Sequence, residues 1–438
     1  MFGLPSCSKL FLLLIFLFTS QTAFAENTVI LHAGTLLDIP GEAPKSEQTL
    51  VVINDKVSKI YDGYLTARQL DLNTTDTSIV DLKNSFVLPG LIDAHVHLMF
   101  RYGGAFRDPS ITGEDQLITG IVNAKATLEA GFTTVADLDA GAYSWPVFVL
   151  RNAIRAGEIA GPRILAAGSS ISRTGGHGDR RDAPDHILEK LGSSGLCDGE
   201  AECRRAVRRQ FRQGSDLIKL HATGGGNEKT GGKHHQPSFM EDEFRGIVET
   251  AHSLELKVTA HAHATAGINA ALKAGVDSIE HGSFLDKESI RLFRKSGAYL
   301  LPTLDVQDMI SDLIHKVPAH AAPRLKLYLE EQPANVMKAW KAGVNLALGS
   351  DAGVIPHGSN AREIEWFVKI GISESEALKI ATVNTAKHLG LADQIGSLKP
   401  EMNADVIAFR GNPLEDISVV RDVMFVMKAG QVINLKEE

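Results

Sequence analysis

Two histidines one residue apart, His95 and His97, close an apolar run that begins near Val87. Positions i and i+2 of a strand face the same side, so two imidazoles would point together. Other short apolar runs end in the same manner. Lys219 lies in Asp216-Leu-Ile-Lys-Leu, His261 in Val258-Thr-Ala-His-Ala-His, His281 in Ser278-Ile-Glu-His-Gly and Asp351 in Leu348-Gly-Ser-Asp-Ala-Gly. Imidazoles gathered with a carboxylate hold a divalent transition metal, zinc or a relative. A lysine is foreign to such a set, because an ammonium repels a cation. It fits once its amine has taken up CO2 as a carbamate, an anionic bridging ligand, and burial favours the neutral amine which that reaction needs. Singly, each residue has a plainer explanation: a satisfied strand-end histidine, a snorkelling lysine, an aspartate capping a helix. Their recurrence at the ends of successive runs points to a metal centre.

Something must carry these residues to one place. Apolar runs occur at 87–97, 133–138, 163–171, 217–220, 257–262, 278–282, 299–304 and 344–351. Stretches of helical period separate them, among them 120–130, 241–254 and 373–389. Alternation of this kind predicts an α/β fold, a (β/α)8 TIM barrel over residues 86–395, whose strand ends converge on one mouth. Residues 26–85 and 396–438 read as short strands with turns, predicting a small β-sandwich built from both termini. No Gly-x-Gly-x-x-Gly follows the first strand, which excludes a dinucleotide fingerprint.

The chain has 438 residues, of which 44% are hydrophobic and 22% charged, with a formal net charge of −8. No basic stripe invites nucleic acid. Residues 1–25 combine Lys9, a short apolar run from Leu10 to Phe18 and Ala23-Phe-Ala, the pattern of a signal peptide. The apolar run is too short to span a bilayer. The mature chain is therefore expected to be exported, to the periplasm or the medium, with no membrane segment. Cys7 has no convincing lipoprotein context. Cys197 and Cys203, six positions apart, are expected to form a local disulfide in an oxidising compartment.

The motifs His95-Val-His97, Lys219, His261, His281 and Asp351 together resemble those of the amidohydrolase superfamily. Within it, Thr174-Gly-Gly-His-Gly-Asp, Ala274-Gly-Val-Asp-Ser-Ile-Glu-His-Gly, Pro356-His-Gly, Ala377 to Thr382 and Gly411-Asn-Pro-Leu-Glu-Asp-Ile are similar to motifs of one branch. That branch contains imidazolonepropionase-like proteins, Xaa-Pro dipeptidases and metallo-carboxypeptidases. Lys399-Pro-Glu-Met departs from the usual glycine-containing turn, far from the expected site. The resemblance implies two divalent metal ions, one held by His95, His97 and Asp351 and the other by His261 and His281. A carbamate on Lys219 and a hydroxide would bridge them. The hydroxide would attack an amide carbonyl, and Asp351 would act as general base and then acid.

His177, His263 and His357 are the candidates for polarising the carbonyl or gripping a substrate carboxylate, against the alternative of structural loop histidines; His177 and His263 are the two with a catalytic role in view. His234, His235, Arg180 and Arg181 read more simply as solvated loop charge. The resemblance implies a small-molecule or dipeptide substrate, with N-acyl amino acids, cyclic amides and toxin conjugates such as ochratoxin-like amides as alternatives. It also implies a homo-oligomer. All six ligand positions are filled, which argues against a non-catalytic binding barrel.

Overall fold

The structure is a computed structural model describing residues 27–103, 111–141, 143–179, 195–225, 228, 232–317 and 321–435. The expected leader, with Cys7, and the pair Arg180–Arg181 lie outside the described residues. Four strands open the chain: β1 (Thr28–Leu36), β2 (Lys45–Ile53), β3 (Lys56–Asp62) and β4 (Thr77–Pro89). Eight shorter ones follow: β5 (Leu91–Val96), β6 (Phe132–Asp137), β7 (Arg163–Ala166), β8 (Leu217–His221), β9 (Lys257–Ala262), β10 (Ser278–His281), β11 (Tyr299–Leu301) and β12 (Asn345–Leu346). The chain ends with β13 (Val406–Phe409), β14 (Val423–Lys428) and β15 (Gln431–Leu435).

Both termini enter one seven-stranded sheet, ordered β15-β14-β13-β4-β1-β2-β3. The two-sheet sandwich expected from the sequence is here a single mixed sheet, because β4 pairs with β1 on one side and with β13 on the other. Leu31, Leu50, Val87, Val406 and Phe425 are among the buried side chains of its own apolar cluster.

The middle strands are all parallel, in sheets ordered β5-β6-β7 and β12-β11-β10-β9-β8. Backbone bonds join the two sheets at both seams. Ile171 N donates to Lys219 O at 2.7 Å and His221 N to Ile171 O at 3.0 Å. At the other seam Ala94 N donates to Leu348 O at 2.9 Å and Asp351 N to His95 O at 2.8 Å. Helices lie between the strands, including Gly113–Glu129, Trp145–Arg155, Glu200–Gln213 and Glu241–His252. Leucine, valine, isoleucine and phenylalanine side chains of strands and helices merge into one large core. None of the helices among the described residues is long and apolar enough to cross a membrane.

The expected run 87–97 divides at Gly90 into β4 and β5. A Cβ there would lie 2.1 Å from Thr133 Oγ1, so only glycine lets the chain pass from one sheet to the next. Cys197 and Cys203 are bonded to one another, as their spacing predicted, at the start of the helix Glu200–Gln213.

Candidate metal centre

The eight parallel strands point their C-terminal ends one way, and the polar residues collect there. His95 lies on β5, next to its last residue Val96, and His97 follows it; Lys219 lies on β8, His261 on β9, His281 at the end of β10 and Asp351 beyond β12. All six are buried. His95 Nε2 and His97 Nε2 stand 3.3 Å apart. Asp351 Oδ1 lies 3.5 Å from the first and 3.2 Å from the second. Bonds of about 2.0–2.1 Å in tetrahedral directions put donor atoms roughly 3.3 Å apart, so this triangle has the spacing a metal requires. A second set, His261, His263 and His281, also has its donor atoms within 4.8 Å of one another.

The backs of the rings decide which nitrogen faces inward. His95 Nδ1 lies 2.8 Å from Glu280 Oε2, a carboxylate that only accepts. Nδ1 therefore carries the proton and Nε2 the lone pair. His97 Nδ1 likewise faces the carbonyl of Asp139 at 3.3 Å. His281 Nδ1 lies 2.7 Å from Thr303 Oγ1, whose own proton goes to Pro302 O at 2.8 Å. Thr303 must then accept from His281, which again leaves Nε2 bare. Outer hydrogen bonds of this kind orient metal-binding imidazoles.

Backbone strain gathers at the same place. His281, Thr303 and Asp351 adopt φ values of 71°, 50° and 62°, in the left-handed region that non-glycine residues rarely enter. At Asp351 the cause is visible. Asp93 Oδ1 accepts from the backbone N–H groups of His95 and Ser350, each at 3.1 Å, while its Oδ2 takes Ser350 Oγ at 2.5 Å and Asn360 Nδ2 at 2.8 Å. One buried carboxylate thus pins two ligand-bearing segments together.

Burial pushes His95, His261, His263 and His281 well below the ordinary imidazole range, so they stand neutral with lone pairs to offer. Burial also lowers Lys219, against the pull of Glu280, Asp351 and Asp139, which favours the free amine. Asp351 is ionised: burial works against it, but His95, His97 and Lys219 hold it below the usual carboxylate range. For His97 burial is likewise outweighed, and the Asp351 carboxylate raises it.

Comparisons with known proteins show the family to which the chain belongs. The amidohydrolase family model matches residues 86–433. This chain belongs to the amidohydrolase family. It is 33% identical to an ochratoxinase of Aspergillus niger over 94% of its own length and 88% of the relative's. The structure of a Xaa-Pro dipeptidase with bound methionine superposes with a TM-score of 0.84 and 34% identity, covering 93% of this chain and 100% of that one. The crystal structure of the A. niger ochratoxinase gives 0.82 and 30%, covering 94% and 96%. Family membership makes the chain a hydrolase of amide bonds.

The other histidines of this amidohydrolase fall in different places. His177 reaches the second set: its ring stacks on His261 with centroids 4.5 Å apart, and its Nδ1 lies 3.0 Å from Glu228. His263 faces Ser283 Oγ and the Tyr328 hydroxyl. His357 departs from its expected contact with substrate. Its Nδ1 meets Thr127 Oγ1 at 2.9 Å and its Nε2 meets His97 O at 3.2 Å, so it braces the His97 backbone. His234 and His235 lie on the loop, exposed and half-buried respectively, without joining either set. Several residues escaped the sequence reading. His221 follows Lys219 by two positions on β8 and its ring sits 5.4 Å from that of His261. The i, i+2 rule that exposed His95 and His97 would have found it. Glu280, an acid inside a buried apolar strand, carried its own signal, since such a charge needs partners. Tyr328 carried none.

Proposed function

We propose that this amidohydrolase is an exported, binuclear metal-dependent enzyme that cleaves the amide bond of dipeptides or N-acyl amino acids, releasing an amino acid. The triangle of inward-facing donor atoms on His95, His97 and Asp351, backed on the far side of both rings, carries the reading. In it, the eight parallel strands form a closed (β/α)8 barrel, and the seam bonds near Lys219 and Asp351 support that closure.

His95, His97 and Asp351 would hold one cation and His261 and His281 the other, and Lys219, as its carbamate, would add an anionic ligand to the site. Such cations, zinc by preference, supply Lewis acidity to the substrate carbonyl and acidify water. Asp351, kept ionised by its imidazole neighbours, takes a proton from the attacking water and delivers it to the leaving nitrogen. The new C–O bond forms as the carbonyl π bond opens; the π bond then re-forms as the C–N bond breaks at the protonated nitrogen, releasing the acid and the amine. His177 and His263 flank the His261–His281 side and orient the substrate's carbonyl and carboxylate. Dipeptides come first because a Xaa-Pro dipeptidase and a prolidase with bound N-methylphosphonate-L-proline are both close in structure. An ochratoxin-like amide is the second reading, favoured by the ochratoxinase match along 94% of the chain. Export rests on the pattern of residues 1–25 and on the Cys197–Cys203 bridge.

The test is to purify the protein in the presence of zinc and bicarbonate and measure metal per chain. Released amino acid is then followed over a panel of dipeptides, N-acyl amino acids and ochratoxin A. A pair of metals with turnover on any of these is the expected result. A metal-free protein, or one silent on all three classes, would overturn the reading.

A further inference from the structure

The helix Ala322–Lys341 enters the chain between β11 and β12. Helices on the outside of a barrel bury an apolar stripe. This one also turns a polar stripe inward: Tyr328, Gln332 and Asn335, spaced i, i+4 and i+7 along one face. Each reaches the mouth. The Tyr328 hydroxyl lies 2.5 Å from His263 Nδ1. Asn335 Nδ2 donates to Ser283 O at 2.9 Å, and Ser283 Oγ sits 3.0 Å from the same His263 nitrogen. Gln332 Nε2 donates to His281 O at 3.0 Å and to Pro302 O at 2.6 Å. Its own oxygen accepts from the Gln307 amide. At the edge of the stripe, Glu331 pairs with Lys233 at 2.7 Å, tying the helix to the segment after β8.

The two carbonyls held by Gln332 are not arbitrary. One belongs to His281 itself, whose φ is 71°. The other, Pro302 O, is also the acceptor for Thr303 Oγ1, and Thr303, at φ 50°, is the group that orients His281 Nδ1. The chain of contacts therefore runs from Gln332 through Pro302 and Thr303 to the His281 ring. Two strained residues lie within it, and such strain persists only where surrounding contacts over-determine it. A glutamine that is 1% exposed would be a liability in a core without partners, and here both ends of its amide are used.

We propose that the helix Ala322–Lys341 is a strap that shapes the His261–His263–His281 half of the site. Gln332 is its central positioning residue, with Tyr328 steadying His263. The strap acts on that half through its hydrogen bonds, since among the described residues those of Tyr328, Gln332 and Asn335 go to His263, Ser283, His281, Pro302 and Gln307 and none to His95, His97 or Asp351. This inference rests on the binuclear reading above.

Cobalt(II) titrated into metal-free protein separates the two ideas. Wild type is expected to take up two equivalents, the second distinguishable by its absorption spectrum. Gln332→Met keeps the side chain's volume and removes both donors. It is expected to weaken the second equivalent about 10–100-fold, to alter its spectrum and to leave the first unchanged. Tyr328→Phe, which deletes the hydroxyl that steadies His263, whose ring stacks on that of His281 with centroids 4.6 Å apart, should move the same equivalent in the same direction and decides the matter if Gln332→Met does not fold. Equal weakening of both equivalents, or of neither, overturns the strap. Uptake of fewer than two equivalents by wild type sinks the binuclear reading and the strap with it, and needs no variant to be seen.

Discussion

The two halves of the mouth are built on different plans. His95, His97 and Asp351 come from segments that lie side by side at one seam, joined by direct backbone bonds and by the single carboxylate of Asp93. His261, His263 and His281 come from β9, β10 and the residue after β9, but their outer partners arrive from Ser283, Thr303 and a helix some fifty residues further on. The first half is fixed largely by the strands that carry it. The second depends on an excursion between strands. That difference makes the first half the rigid chemical end and the second the adjustable one.

The most severe way to break the first half is Asp351→Asn. The amide keeps the shape but loses the proton acceptor, so kcat should fall about 10²–10⁴-fold with the fold intact. Turnover near the wild-type rate, in protein with an unchanged unfolding midpoint, would remove Asp351 from its role. Next comes Lys219→Ala, which acts on both halves at once. Metal content and rate should both drop, the rate by at least about 10²-fold, and added short-chain carboxylic acids should restore part of it. Unchanged metal and rate would place Lys219 outside the site. Glu280→Gln reaches the first half through its hydrogen bond to His95 Nδ1. It should weaken one metal about 10–100-fold and leave the other at wild-type affinity, the mirror image of the Gln332 variant. A variant that loosened both cations alike would erase the distinction between the halves.

The same division governs what could be read without a structure. Each of the eight parallel strands overlaps its expected run, with β6 starting one residue early and β8 ending one residue late, because a period of two or a continuous apolar stretch is a local signal. All six candidate ligands fall near the ends of such runs, so their convergence was legible from strand geometry alone. The split of 87–97 was not, because Gly90 is decided by the crowding of Thr133 from another strand. The order in which the terminal strands join was not legible either, because strand propensity says nothing of which strands pair. His357 looked like a loop residue facing substrate until Thr127 and the His97 carbonyl took both its nitrogens. Tyr328 and Gln332 belong to a stretch whose period reads as an ordinary amphipathic helix. Only tertiary contacts reveal that its polar stripe faces inward.

The smallest expected effect concerns what stands behind the halves. His388, 4% exposed, packs against Tyr299 of β11 with ring centroids 5.0 Å apart, near enough to Glu280 to feel its charge. Burial lowers its pKa from 6.5 to about 4, with the Glu280 carboxylate opposing. Between those values the unfolded chain binds a proton that the folded chain refuses, so stability rises with pH across that window and is lost as pH falls from about 6.5 toward 4. From pH 7 to pH 5 this one residue should cost about 2 kcal/mol. His388→Leu should reduce the acid-side loss by that amount in urea melts of metal-free protein at the two pH values. The neutral imidazoles of the second half lose stability over the same range for the same reason, so the variant should flatten the curve without levelling it. An identical pH dependence in variant and wild type would show that His388 takes up its proton as easily folded as unfolded. The acid sensitivity would then belong to the other buried imidazoles, His357 among them, whose pKa burial lowers to about 4.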